Sequence, residues 1–173
     1  YAATKAGGDL LCRAYHSTWK TPVVVTHCSN NYGPYQYPEK LIPFFITRVL
    51  ENKKVPLYGD GRNVRDWIYV IDHCRALELC LLNGEAGEVY NIGADNEMSN
   101  LEIAHLILRK FKRDETEIEF VADRPGHDRR YAVDAKKIRR ELGWKPIYSF
   151  KKAFDSTIDW YIHNPQWIER VRK

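Results

Sequence analysis

The chain has 173 residues, 44% of them hydrophobic, with 27 Lys and Arg against 23 Asp and Glu for a net charge of +4. That is the size of one ordinary domain with material for a core, which excludes a disordered composition. No run of ~20 apolar residues is present, which excludes a helical membrane span. The charge is too mild and too evenly mixed for nucleic-acid binding, and suits a basic pocket for a small anion.

In chain order, "AATKAGGDLLCRAYHSTW" (2–19) reads as a helix through Leu10, Leu11, Ala14 and Trp19. "PVVVTHCS" (22–29) is apolar and β-branched between turn residues, the pattern of a buried strand. "NNYGPYQYPEK" (30–40) contains prolines and a glycine and reads as a loop. Ile42, Phe45, Ile46 and Val49 recur at helical spacing. "VPLYG" (55–59) and "VRDWIYV" (64–70) predict short strands, and "IDHCRALELCLLNG" (71–84) a helix closed by Gly84. "EVYNIG" (88–93) is a strand. "SNLEIAHLILRKF" (99–111) opens with a capping box, Ser99 with Glu102, before an apolar face of Ala104, Ile107, Leu108 and Phe111. "EIEFVA" (117–122) and "RRYAVD" (129–134) are strands, and Asp134 can cap "AKKIRREL" (135–142). A last helix carries Phe150, Phe154, Ile158, Tyr161 and Ile162. Helices alternating with strands predict an α/β architecture. The early part supplies too few strands to complete a sheet, so Tyr1 is expected to begin in mid-domain.

Several groups have the chemistry of a site. Tyr1 and Lys5 lie one helical turn apart. A free phenol, with a pKa of about 10, is a poor base at neutral pH. A cation about 4 Å away would favour phenolate by at most roughly 4 kcal/mol and bring that value towards ~7. The pair is therefore either a usable base or an ordinary exposed pair. Asn30 and Asn31 follow a strand directly, as ligand-binding amides or as turn residues. Arg65 sits in the strand predicted over 64–70, beside Trp67. Its guanidinium is either a fork for phosphate oxygens or the partner of Asp66. "DRPGHDRR" (123–130) is a solvated loop or an anion clamp. The four cysteines, Cys12, Cys28, Cys74 and Cys80, form no CxxC and read as small reduced core side chains, which suits the cytosol. The six histidines have no metal-ligand spacing, so no metal is expected.

Taken together, these motifs carry a resemblance. "YAATK" fits the YxxxK signature of the short-chain dehydrogenase/reductase superfamily. "SNNYGP", "RDWIYVIDHCRA" and "EVYNIG" follow in the order and spacing of its extended, nucleotide-sugar branch. "YPEKLIP", "DRPGHDRRYAVD" and "LGWKP" are narrower and resemble the dTDP-glucose 4,6-dehydratase family. The resemblance implies an α/β C-terminal half. Residues 1–35 would end a doubly wound, Rossmann-type NAD-binding domain. Residues 36–173 would be mainly a smaller mixed α/β nucleotide-sugar domain, with about 60–92 returning to the Rossmann sheet. The glycine-rich loop and the catalytic Asp-Glu pair of the family lie upstream, and no GxxGxxG occurs here. By resemblance, Tyr1 takes the proton of the sugar C4 hydroxyl, Lys5 tunes it and holds the nicotinamide ribose, and Asn31 also faces NAD. Asn30, Lys40, Leu41, Pro56, Leu57, Tyr58, Arg65, Asn100, Asp123, Arg124, His127 and Arg130 would hold the dTDP-sugar. The implied reaction converts dTDP-glucose to dTDP-4-keto-6-deoxyglucose by C4 oxidation, loss of water and hydride return to C6. The complete enzyme would be a cytoplasmic homodimer, pairing through helices that include the YxxxK helix, and this piece alone would be inactive. A sister epimerase or decarboxylase, or a non-catalytic nucleotide-sugar-binding module, are the alternatives.

Overall fold

A computed structural model describes residues 1–172. The elements in order are α1 (Ala2–Trp19), β1 (Val25–Cys28), β2 (Asn30–Tyr32), α2 (Leu41–Leu50), β3 (Val55–Tyr58), β4 (Val64–Tyr69), α3 (Val70–Asn83) and β5 (Val89–Ile92). They are followed by β6 (Glu97–Ser99), α4 (Asn100–Lys110), β7 (Ile118–Val121), β8 (Arg130–Tyr131), α5 (Lys136–Leu142), α6 (Phe150–His163) and α7 (Pro165–Val171). The α/β architecture expected from the alternation is present.

The strands form three small sheets. β1 pairs parallel with β5, and β3 parallel with β7. β4 is the central strand of the third, parallel to β2 along Trp67–Tyr69 and antiparallel to β6 along Val64–Asp66, with the short β8 beside its first two residues. Alternation along β4 separates two cores. Trp67 joins Tyr32, Ile42, Phe45, Ile103, Ile107, Phe154 and Tyr161 in the larger one. Ile68, on the opposite face, joins Ala76, Cys80, Tyr90, Ile92, Ile138 and Trp144 in the smaller one.

Local sequence explains most boundaries. Ser99 and Glu102 close a reciprocal capping box at the start of α4. Asp134 accepts from the Lys136 backbone N–H at 2.8 Å, so it satisfies a free donor at the start of α5 from one residue before the cap position. Gly84 does end α3, though in an extended conformation rather than a left-handed one. Its glycine identity answers a close approach instead, because a Cβ there would lie 2.3 Å from the Cys80 carbonyl oxygen.

Other features depart from the sequence expectation. The segment 30–40 is not loop throughout: its first three residues are β2, which gains its strand character from pairing with β4. β6 and α7 were not expected. α1 forms over the predicted residues yet buries none of them, and Leu10, Leu11 and Trp19 are each more than 60% exposed. Among the described residues no helix is long and apolar enough to cross a membrane.

Candidate active site

A cleft of about 510 Å³ opens where α2, β3, β4 and α4 meet. Asn30 reaches it from β2, and Lys40, Leu41, Phe44 and Phe45 from the first turns of α2. Pro56, Leu57 and Tyr58 of β3 form a wall, Arg65 and Trp67 of β4 the floor, and Asn100 stands at the start of α4. Arg124 and His127 come from the segment between β7 and β8. Ten of the residues that the sequence proposed for the sugar nucleotide thus meet in one place, although they are spread over nearly 100 positions of chain.

Arg65 is the central charge. Its side chain is buried, with 8% of the residue exposed. It donates from Nη1 to the Val64 carbonyl at 2.7 Å and from Nη2 to the Asp128 carbonyl at 2.9 Å. Among the described residues no carboxylate pairs with it. Asp66, its neighbour and candidate partner, points to the other face of β4 and accepts from the backbone N–H groups of Ala94 and Asn96 at 3.0 and 2.8 Å. The salt-bridge alternative for Arg65 therefore fails. Burial pulls the guanidinium pKa down, the nearby Asp128 carboxylate partly offsets that, and Arg124 adds to the lowering. A buried cation with no carboxylate in direct contact is suited to receiving an anion.

The segment that carries His127 is pinned at its C-terminal end. Arg129 forks onto Asp60 at 2.7 and 2.9 Å, and Arg130 onto Glu97 at 2.7 Å twice. Asn63 donates to the Asp128 carbonyl at 3.2 Å. Arg130 is therefore committed to Glu97 and lies outside the cleft lining, unlike the other residues proposed for the substrate except Asp123. Asp123 stands behind His127, accepting from its Nδ1 at 2.7 Å, a bond that holds the carboxyl below its ordinary pKa. With Nδ1–H given to Asp123, the other ring nitrogen, Nε2, remains for a ligand.

The residues proposed for the cofactor side lie apart from the cleft. Tyr1 is 93% exposed at the start of α1, with the Lys5 ammonium 5.7 Å from the centroid of its ring. Asn31 is fixed by its neighbours. Its Nδ2 donates to the Ser29 carbonyl at 3.2 Å and to the Cys28 Sγ at 3.4 Å, so its Oδ1 faces His73 Nδ1 at 2.8 Å. That orientation places the imidazole proton on Nδ1 of a ring whose pKa burial lowers. Ser29 Oγ, one step before Asn30, is buried without a partner.

Sequence reasoning missed Glu39, which pairs with Lys40 at 2.8 Å, and Phe44, Phe45 and Trp67 as lining residues, and His73 as the group that orients Asn31. Trp67 was legible in principle: on a strand it shares the face of Arg65, two positions away. His73 was not, because its contact with Asn31 joins positions 42 apart.

A family model described as GDP-mannose 4,6 dehydratase matches residues 1–157. The dTDP-glucose 4,6-dehydratase of Salmonella typhimurium is 50% identical over 179 aligned positions, which cover 99% of this chain and 50% of that protein. A dTDP-glucose 4,6-dehydratase of Streptomyces venezuelae, solved with NAD bound, superposes with a TM-score of 0.96 at 50% identity, over 99% of this chain and 53% of that one. A UDP-glucuronic acid 4-epimerase of Bacillus cereus, solved with UDP-glucuronic acid and NAD, is more distant: TM-score 0.87 and 28% identity, over 93% of this chain and 52% of that one. The chain spans about half the length of the curated relatives it matches. With a cleft built around a buried arginine that no carboxylate contacts directly and a family match over residues 1–157, this protein belongs to the GDP-mannose 4,6 dehydratase family of nucleotide-sugar enzymes.

Proposed function

We propose that this chain is the C-terminal half of an NAD-dependent dTDP-glucose 4,6-dehydratase. The observation that carries the reading is Arg65: a buried guanidinium with two backbone acceptors, no carboxylate and a cleft in front of it. A phosphate satisfies such a group by two parallel charge-assisted hydrogen bonds. Arg124 supplies further positive charge to the same cleft, and His127, steered by Asp123, a ring nitrogen. Tyr58, Leu57 and Pro56 offer an apolar strip for the base. Asn100 and Asn30 stand on either side of Arg65, and Lys40 and Leu41 close the mouth. Arg130, clamped to Glu97, is assigned an indirect part, holding the segment in place.

Residues fitting NAD lie at the carboxyl end of β1, where ligands gather in doubly wound sheets. Ser29 Oγ is a buried oxygen with unspent hydrogen-bonding capacity, and the Lys5 ammonium suits ribose hydroxyls. When bound, NAD would supply a hydride acceptor at C4 and a hydride donor at C6. Tyr1 would take the C4 hydroxyl proton, Lys5 would favour its phenolate form, and Asn31 would orient the carboxamide side. Residues 1–35, with about 60–92, are assigned to the cofactor-binding body and the rest mainly to the sugar nucleotide. The four free cysteines suit a reduced, cytoplasmic setting, and the exposed apolar side of α1 suits a homodimer.

The 28% identity to an epimerase makes a sister activity the second reading. Mass spectrometry separates the two in the full-length protein. Incubation with dTDP-glucose is expected to remove one water from the sugar. A product of unchanged mass would mean epimerisation, and loss of carbon dioxide from a uronic acid substrate would mean decarboxylation.

A further inference from the structure

The larger core contains a polar group that the packing leaves unspent. Trp67 is only 3% exposed, and its indole Nε1–H is buried with no hydrogen-bond partner. A buried indole N–H ordinarily finds an acceptor, and leaving it unpaired is costly. Trp67 also lines the cleft, beside Arg65 on the same face of β4. Its register partner across the sheet is Asn30, which lines the cleft as well.

β4 thus presents polar groups in a line. At one end Asn63 accepts at its carbonyl from the Asn100 N–H, and Asn100, 5% exposed, keeps a buried Oδ1 without a partner. Arg65 comes next, and Trp67 with Asn30 is last, each step two residues or ~6.6 Å along the strand. An elongated anion with its phosphate at Arg65 meets an acceptor on one side and a donor on the other. The Trp67 side runs through Asn30 and Asn31 to the end of β1, the side given above to the cofactor and hence to the reacting sugar.

We propose that Trp67 is a specificity-determining ligand contact, its indole N–H donating to an oxygen of the hexose. This rests on the reading of the cleft as a nucleotide-sugar site. It makes the sugar, rather than the nucleotide, the part of the ligand that Trp67 recognises.

The test is calorimetry on the full-length protein, in a Tyr1→Phe background so that the sugar is not turned over. Trp67→Phe keeps the ring and removes the N–H. It is expected to weaken dTDP-glucose binding about fivefold to tenfold, the usual loss for one neutral hydrogen bond, and to leave dTDP binding unchanged. An equal loss for both ligands would move the contact to the nucleotide, and no loss for either would remove it. Both results overturn the proposal. Arg65→Lys in parallel tests the underlying reading: if it binds dTDP and dTDP-glucose as the parent does, the cleft assignment itself fails. Should Trp67→Phe not fold, the full-length Tyr1→Phe protein with Trp67 intact, labelled with ¹⁵N-tryptophan, decides. One indole N–H resonance should move downfield with dTDP-glucose and stay in place with dTDP, and the absence of such a resonance overturns the proposal.

Discussion

Arg65 shows how a single side chain separates structure from function. Had Asp66 paired with it, the guanidinium would be a scaffold ion pair. Instead the carboxylate serves the backbone of Ala94 and Asn96, because alternation sends it to the other face. Arg65→Lys in the full-length protein is therefore expected to weaken dTDP binding tenfold or more with charge retained, since an ammonium cannot reproduce a planar fork and a charge-assisted bond contributes about 1.5–3 kcal/mol. Calorimetry checks it, and unchanged affinity would return Arg65 to a structural role. His73 gives a second prediction at this scale. Its folded pKa lies below the ordinary imidazole value of 6.5 because burial disfavours the cation. The unfolded chain therefore binds the extra proton first, so stability is fully present above 6.5 and is lost as pH falls through the folded pKa. Replacing it as His73→Gln, which still donates towards Asn31, should flatten that acid loss in denaturant melts between pH 7 and pH 5. A variant with the parent's pH slope would remove His73 from this account. Tyr1→Phe should cut kcat by roughly 10²–10⁴-fold with little change in KM, the pattern for a group that acts only in the transition state.

Among the elements, legibility followed the range of the interaction. The capping box at Ser99 and the stripe of α2 depend on neighbours in sequence and were readable. The apolar run at 22–29 was readable as a strand, but β1 spans only Val25–Cys28 and, against expectation, none of its residues is buried. β2 and β6 are three residues each and exist because β4 lies between them, so nothing local announces them. The same holds for the site. Residues of "PEKLIP" and "DRPGHDRR" were recognisable as motifs, yet that Lys40 and His127 line one cleft rests on tertiary packing that includes the pairing of β3 with β7 and of β4 with β8. Arg130 is the instructive case: a charged residue in a site motif whose guanidinium forks onto Glu97. The segment 122–131 tests what that clamp does. Arg129 holds the Asp60 carboxyl down to a pKa of about 2, and Arg130 lowers that of Glu97. Both folded values lie below the ordinary ones, so the clamps are intact above about pH 4 and are lost as pH falls further. At neutral pH, Arg129→Ala with Arg130→Ala should speed amide exchange across 122–131 while leaving α4 protected. Unchanged exchange there would mean that β8 pairing and the Asn63 and Arg65 bonds to Asp128 suffice.

At the scale of the whole molecule, two kinds of surface differ in what they still need. The cleft brings Arg65, Trp67, Asn100 and His127 together from within this chain. α1, by contrast, is 18 residues long and buries nothing, with Tyr1 and Lys5 at its head and Leu10, Leu11 and Trp19 in water. Apolar residues in that number on one helix are a liability unless covered. Leu11→Glu in the full-length protein is expected to shift a dimer towards monomer in light scattering. The same contrast predicts what the 173-residue chain does by itself. It has no GxxGxxG to bring pyrophosphate to a helix N-terminus, so it should bind NAD poorly and release no dehydrated sugar. Its own cleft, however, should still take dTDP, because Arg65, Arg124 and His127 already meet there. Calorimetry with dTDP and with NAD, plus mass spectrometry of dTDP-glucose left with the chain, covers all three expectations. Turnover by this chain would mean that catalysis needs no glycine-rich loop. A folded chain that fails to bind dTDP would mean that Arg65 is neutralised by something other than the ligand, and the assignment of the cleft would fall with it.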